Sequence, residues 1–123
     1  MRALIIDDSR AIRGILRKFL QELGFEVFEA GDGKEALSAM SVIHSVDLAL
    51  VDWEMPVMTG VEFVRAVRAE HAYDSMRLMM VTTKADMDDV TQALAAGADE
   101  YVMKPFTKEV IEEKLTMMGV LAA

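Results

Sequence analysis

Four short, largely apolar runs in this chain each end in a group that can do chemistry. Residues 3–6 are followed by Asp7 and Asp8, 48–51 by Asp52, 78–81 by Thr82, and 100–103 by Lys104. Three carboxylates brought to one place repel one another and do not all stay ionised without a counter-charge. A divalent, oxygen-seeking cation supplies that charge most simply. Mg2+ suits the set, because it takes one or two protein carboxylates and fills its other positions with water and phosphate oxygens. Lys104 adds a mobile point charge that can follow a phosphoryl oxygen, and Thr82 a hydroxyl that can donate to another. A carboxylate flanked by such charges is a credible nucleophile toward phosphorus. The set reads as phosphoryl transfer to Asp52.

Taken one at a time, the same residues have plainer roles. Asp7-Asp8 is then a helix cap, Thr82-Thr83 a strand end before a helix, and Lys104-Pro105 a turn. Asp52 is a carboxylate closing a buried strand. Four such groups at four strand ends together favour the functional reading.

For these groups to meet, the runs must be parallel strands with their carboxyl ends on one edge. The pattern between them fits. Strands are expected at 3–6, 25–30, 48–51, 78–81 and 100–103, with Glu26 and Glu29 marking the second as an edge strand. Ile12, Ile15, Leu16, Phe19, Leu20 and Leu23 recur on one helical face, with Asp8 or Ser9 as the cap and Gly24 as the stop. Asp32 and Glu35 have capping-box spacing before a short second helix, and so do Thr59 and Glu62 before a third, whose inner face is Val61, Val64 and Val67, with Phe63 a further candidate. Residues 41–46 and 71–75 read as loops. A fourth helix over 86–96 begins among Asp86, Asp88 and Asp89, near its positive end, and stops at Gly97. Thr107 caps a fifth, with Val110, Ile111, Leu115 and Met118 inward, Gly119 at its end and an apolar tail over 120–123. Five strand–helix pairs with short connections predict an α/β fold, doubly wound, with helices on both faces of a five-stranded parallel sheet. Ligands bind such sheets where the strand order reverses. Order 2-1-3-4-5 puts the reversal between the strands bearing Asp7-Asp8 and Asp52, which makes it the economical choice.

Composition narrows the class. The 123 residues fit one domain, and a hydrophobic fraction of 53% argues against disorder. No apolar run approaches the ~18 residues of a membrane span, and the run at 3–6 is too short for a signal peptide. Cysteine is absent, so there is no disulfide frame and no thiolate metal site. A cytoplasmic protein without membrane insertion is expected. A net charge of −8 disfavours nucleic acid as a partner. His44 and His71, the only histidines, are expected at the surface and not as metal ligands.

With DDS at 7–9, VDWEMPVMTG at 51–60, VTTK at 81–84 and GADEYVMKPF at 97–106, the chain resembles a receiver domain of the two-component response regulators, of the stand-alone kind. The resemblance covers essentially the whole chain, 1–123, and its motifs together are highly specific. It implies a flavodoxin-like fold and an Asp52 that accepts a phosphoryl group from a histidine kinase, a histidine phosphotransfer protein or a small donor such as acetyl phosphate. It implies that Mg2+, or Mn2+ in its place, is bound by Asp8, Asp52 and the backbone carbonyl of Glu54, with Asp7 acting through a water. It also implies that Thr82 and Lys104 grip the phosphoryl oxygens and that the bond before Pro105 is cis. In the switch so implied, Thr82 moves toward the phosphoryl group and Tyr101 turns inward. The surface of the fourth helix, fifth strand and fifth helix then changes for a downstream protein, be it a motor component, a relay protein or a kinase. No appended output domain is expected, and the chain is expected to be a monomer or a weak phosphorylation-linked dimer.

Some neighbours of the site remain open on sequence alone. Glu54 and Lys84 are spaced to pair across its mouth and limit the hydrolytic water, or else to stand exposed and unpaired. Thr83 adds bulk where many receivers carry a smaller residue. Trp53 fits a packing role and offers a fluorescence reporter. Met117, Met118, Val120 and Leu121 read as core or a frayed end rather than a partner patch. Two rival functions are a degenerate receiver that signals without phosphate and a small Mg2+-dependent aspartyl-phosphate phosphatase. The intact acid, Thr and Lys set opposes the first. The second lacks an enclosing cap and an acid placed to protonate a leaving group, Glu54 being the nearest.

Overall fold

The computed structural model describes residues 1–43, 45–84 and 86–122. Its elements alternate: β1 (Arg2–Ile6), α1 (Arg10–Glu22), β2 (Glu26–Ala30), α2 (Gly33–Met40), β3 (Leu48–Val51), α3 (Gly60–Arg68), β4 (Arg77–Thr82), α4 (Met87–Ala96), β5 (Glu100–Met103) and α5 (Lys108–Met117). All strand pairs are parallel, in the order β2-β1-β3-β4-β5. The expected order and the reversal between β1 and β3 are both present.

Alternation along the strands divides the core in two. Ala3, Ile5, Leu48, Leu50, Met79 and Val81 point to one face and pack with Leu16, Leu20, Ile111 and Leu115 of α1 and α5. Leu4, Ile6, Ala49, Val51, Leu78 and Met80 point to the other and pack with Ala36, Val64, Val67 and Ala93 of α2, α3 and α4. Burial on both faces is why β3 reads as an unbroken apolar run. Phe63 is fully buried on the inner side of α3.

The helix starts follow their capping residues. Ser9, rather than Asp8, caps α1, its side chain accepting from the Ile12 N–H. Asp32, Asp86 and Thr107 cap α2, α4 and α5, and Thr59 and Glu62 form a reciprocal capping box at α3. Gly97 ends α4 in the left-handed region.

Several expectations need correction. Ile15 and Val110 are exposed, not inward: each lies at the margin of its helix's apolar stripe, where the sheet is already covered by Leu16 and Ile111. Thr82 belongs to β4 itself. Part of the expected loop at 71–75 is a 3-10 turn, His71–Tyr73. Met117 is exposed, whereas Met118 and Leu121 pack on the core and Val120 is buried within it, as expected. His71 is exposed, also as expected, and lies beside Asp74; His44 and Ala123 fall outside the described residues.

The β3–α3 connection is drawn tight under Asp52. The Gly60 N–H donates to the Trp53 carbonyl at 2.9 Å, and a Cβ at position 60 would lie 2.1 Å from the Asp52 carbonyl oxygen. In the same loop Val57, a β-branched residue, has φ of 73°, with the Met58 N–H donating to the Pro56 carbonyl in a γ-turn. Gly60→Ala must push the Asp52 backbone aside. It is expected to cost about 2–3 kcal/mol in urea unfolding; a loss below about 0.5 kcal/mol would show that the loop tolerates the methyl.

Candidate functional site

Ladder pairing continues one residue beyond the strands, and this continuation brings the site together. The Asp7 N–H donates to the Ala30 carbonyl at 3.2 Å, the Asp52 N–H to the Ile6 carbonyl at 2.9 Å and the Lys104 N–H to the Thr82 carbonyl at 2.9 Å. The side chains of Asp7, Asp52 and Lys104 therefore start from a backbone fixed by the neighbouring strand.

Asp7, Asp8 and Asp52 each present a carboxylate oxygen, all within 4.8 Å of one another. Asp7 and Asp52 are only 2% and 7% exposed, while Asp8 is exposed. Lys104 bridges the buried pair: its Nζ is 2.8 Å from Asp7 Oδ2 and 3.5 Å from Asp52 Oδ2. Asp7 Oδ1 accepts from the Ser9 N–H at 2.8 Å, and Asp52 Oδ1 from the Trp53 N–H at 2.8 Å. Thr82 is fully buried, its hydroxyl oxygen accepts from the Lys84 N–H at 3.3 Å, and the hydroxyl is among the groups that favour the ionised Asp52 carboxylate. The bond from Lys104 to Pro105 is cis.

Burial pushes the Asp52 carboxyl above its ordinary value of 3.8, and the charge of Asp7 pushes it further. Lys104, the Thr82 hydroxyl and the Trp53 N–H pull the other way without cancelling the rise. One ammonium thus faces three carboxylates, in an all-oxygen cluster open to solvent on the Asp8 side. That donor set fits a hard divalent cation.

The residues around this cluster answer most of the open questions. Tyr101 is buried against the core with its hydroxyl donating to the Lys84 carbonyl, and burial, reinforced by Asp89, Asp86 and Asp52, raises its pKa to about 12. Lys84 Nζ lies 3.9 Å from Glu54 Oε1 and 5.6 Å from the centre of the Trp53 ring. The Glu54–Lys84 pairing is therefore present, at long range and with an exposed Glu54. Trp53 packs in the core. Exposed Thr83 helps line an apolar recess of about 270 Å3 with Ile12, Ile15, Pro105 and Phe106, directly beside Lys104.

One contact was not foreseen. Arg13 of α1 donates through Nη1 to the Asp7 carbonyl and through Nε to Glu29 of β2 at 3.0 Å. A basic residue one helical turn after an N-cap that follows two acids, with a glutamate in the next strand, is the signal that would have found it.

The chain belongs to the response regulator receiver domain family, whose profile matches residues 3–116. It is a phosphoacceptor switch of two-component signalling. A chemotaxis protein CheY homolog of Campylobacter jejuni is 42% identical over 116 residues, covering 94% of this chain and 89% of that protein. The chemotaxis protein CheY of Pseudomonas aeruginosa is 42% identical over 118 residues, covering 94% and 93%. The solved structure of Vibrio cholerae chemotaxis protein CheY4 superposes with a TM-score of 0.89 at 37% identity, covering 95% and 97%.

A raised carboxyl pKa sets the sign of a stability effect. Asp52 binds its proton more tightly folded than unfolded, so its stabilising contribution is complete below pH 3.8 and lost as pH rises through the folded value. At neutral pH the Asp52 charge opposes folding. In metal-free buffer Asp52→Asn is expected to raise the urea midpoint at pH 7, with the gain shrinking as pH falls toward 3.8. A lower midpoint at pH 7 would contradict the burial argument.

Proposed function

We propose that Asp52 is the phosphoacceptor, and that the reaction depends on Mg2+ held by Asp8, Asp52 and the Glu54 backbone carbonyl, with Asp7 acting through water. Residues 1–123 are read as one receiver unit. The observation that carries this reading is a buried Asp52 whose carboxylate lies beside a second buried acid and within ion-pair reach of Lys104. A cation bound there supplies charge that offsets the incoming phosphoryl oxygens. Mn2+, with similar oxygen preference, is expected to substitute.

The chain's own groups have defined tasks. An oxygen lone pair of Asp52 forms the new bond to phosphorus. The bond from phosphorus to the donor breaks, and its electron pair leaves on the imidazole nitrogen of a phosphohistidine or on the acyl oxygen of acetyl phosphate. Lys104 exchanges part of its carboxylate contact for a phosphoryl oxygen, and Thr82 offers its hydroxyl to another. The protein thereby assists its own phosphorylation without turning over a separate substrate.

A histidine kinase or histidine phosphotransfer protein is the proposed donor. The apolar recess between α1 and the Pro105-Phe106 segment, with exposed Ile15, offers a protein surface next to Lys104. Tyr101 links the site to the opposite side, since its hydroxyl reaches the loop that follows Thr82. Exposed Leu94 on α4, Met103 on β5 and Val110 on α5 support protein docking over these three elements. The chemotaxis relatives favour a motility circuit as the setting. The phosphorylation signal need only bias two conformations, and a ~100-fold shift in their ratio takes under ~3 kcal/mol.

Incubation with Mg2+ and acetyl phosphate tests the reading. Intact mass should show one added phosphoryl group, absent in Asp52→Asn and in the presence of a chelator. Labelling that persists in Asp52→Asn would refute the assignment, and sustained turnover of varied phosphate esters would favour a phosphatase. Lys84→Ala is expected to shorten the lifetime of the phosphorylated form by up to about fivefold, the rate equivalent of an exposed pair worth at most ~1 kcal/mol. An unchanged lifetime would remove Lys84 from the control of water.

A further inference from the structure

Asp7 and Asp8 are held in different ways. Both oxygens of Asp7 are engaged, Oδ1 by the Ser9 N–H and Oδ2 by Lys104. The Asp8 carboxylate is exposed and, among the described residues, has no hydrogen-bond or ion-pair partner in the protein. Its aim therefore depends on the backbone that carries it. A peptide unit is planar, so a group that fixes the Asp7 carbonyl also fixes the Asp8 nitrogen and limits where the Asp8 Cα can lie.

That group is Arg13. Its own N–H donates to the Ser9 carbonyl at 3.0 Å, which roots it in the first hydrogen-bonded turn of α1. Its side chain is 17% exposed and spans two partners, Glu29 Oε1 at 3.0 Å through Nε and the Asp7 carbonyl through Nη1. Glu29 is itself braced, because Arg17 Nε takes its other oxygen at 2.6 Å. Burial alone would raise the Glu29 carboxyl, but the hydrogen bonds and charges of Arg17 and Arg13 outweigh it and hold the group below its ordinary value. The brace is thus an ionised carboxylate at neutral pH. Arg13 bridges the carboxylate and the carbonyl through donors set in a rigid planar fork, whereas a lysine ammonium would do so only as a point charge on a flexible stem.

We infer that Arg13 is a positioning residue of the cation site: anchored on Glu29, it holds the Asp7 carbonyl and thereby aims the otherwise unsupported Asp8 carboxylate. This rests on the proposed cation binding by Asp8 and Asp52. Outer groups that orient metal ligands typically matter about 10- to 100-fold in metal affinity. The charge of Arg13 acts in the opposite sense, since a guanidinium near the acids repels a cation. Removing it tightens cation binding if Arg13 acts only as a charge, and weakens binding if Arg13 acts by position. The two roles therefore differ in the sign of one measurement.

The experiment is a Mg2+ titration of the purified protein, followed by the Asp8 and Asp52 amide signals in heteronuclear NMR spectra. Arg13→Met is expected to weaken Mg2+ binding about tenfold, and Arg13→Lys, which keeps the charge but not the fork, to weaken it in the same direction. Arg17→Met removes the neighbouring charge from the same Glu29 without touching the Asp7 carbonyl, and is expected to stay within about twofold of the parent protein. The same spectra report folding, and Arg13→Lys stands in if Arg13→Met does not fold. Unchanged or tighter Mg2+ binding in the Arg13 variants overturns the inference, as does an equal loss in Arg17→Met. If the parent protein itself gives no Mg2+ response, the cation reading falls and the inference with it. A responsive parent with unaffected Arg13 variants removes the inference alone.

Discussion

Two carboxylates buried beside one ammonium are the constraint on which this molecule turns. Removing an ionised carboxylate from water is costly, and a single opposite charge rarely repays the cost in full. Asp7 and Asp52 share Lys104, and Asp8 adds a third negative charge at the open side. The raised pKa of Asp52 registers the shortfall. A cluster left with surplus negative charge suits a divalent cation, whose charge would offset the carboxylates.

The fold supplies that constraint cheaply. Parallel pairing puts the ends of β1, β3, β4 and β5 on one edge, and one further ladder hydrogen bond carries Asp7, Asp52 and Lys104 into register. Helices on both faces keep water away from the strands, so Thr82 and Asp52 both sit buried in a low-dielectric setting where polar interactions are stronger than in water. Gly60 allows α3 to start against the Asp52 backbone, and the same loop places Trp53 so that its N–H holds the Asp52 carboxylate. Tyr101 ties the site to the α4 side through the Lys84 carbonyl, and Lys84 in turn touches Trp53 and Glu54. A change at Asp52 therefore has a short physical route to the surface of α4, β5 and α5.

The sequence was most readable where one local rule acts alone. Apolar runs and capping residues marked nearly every element, because Asp32, Thr59, Asp86 and Thr107 each satisfy helix N–H groups within three residues of themselves. The acids, Thr82 and Lys104 were legible as a set because each closes a strand. Helix faces were less so. Ile15 and Val110 carry core-like side chains at the edge of their stripes, and the buried positions beside them are taken by Leu16 and Ile111. Arg13 was missed because its two partners, Asp7 and Glu29, lie on different strands, so its role exists only after β1 and β2 pair. The Glu54–Lys84 question also needed three dimensions, since the length of two flexible side chains does not reveal whether they meet.

If surplus negative charge is the central feature, relieving it must stabilise the folded chain specifically through the acid cluster. Urea unfolding at pH 7 with Mg2+, compared with a chelator at matched ionic strength, measures this. At a free Mg2+ concentration of 100 times its dissociation constant the folded state should gain about 2.7 kcal/mol, and Asp8→Asn should lose most of that gain. No gain in the parent protein, or the same gain in Asp8→Asn, would contradict the account.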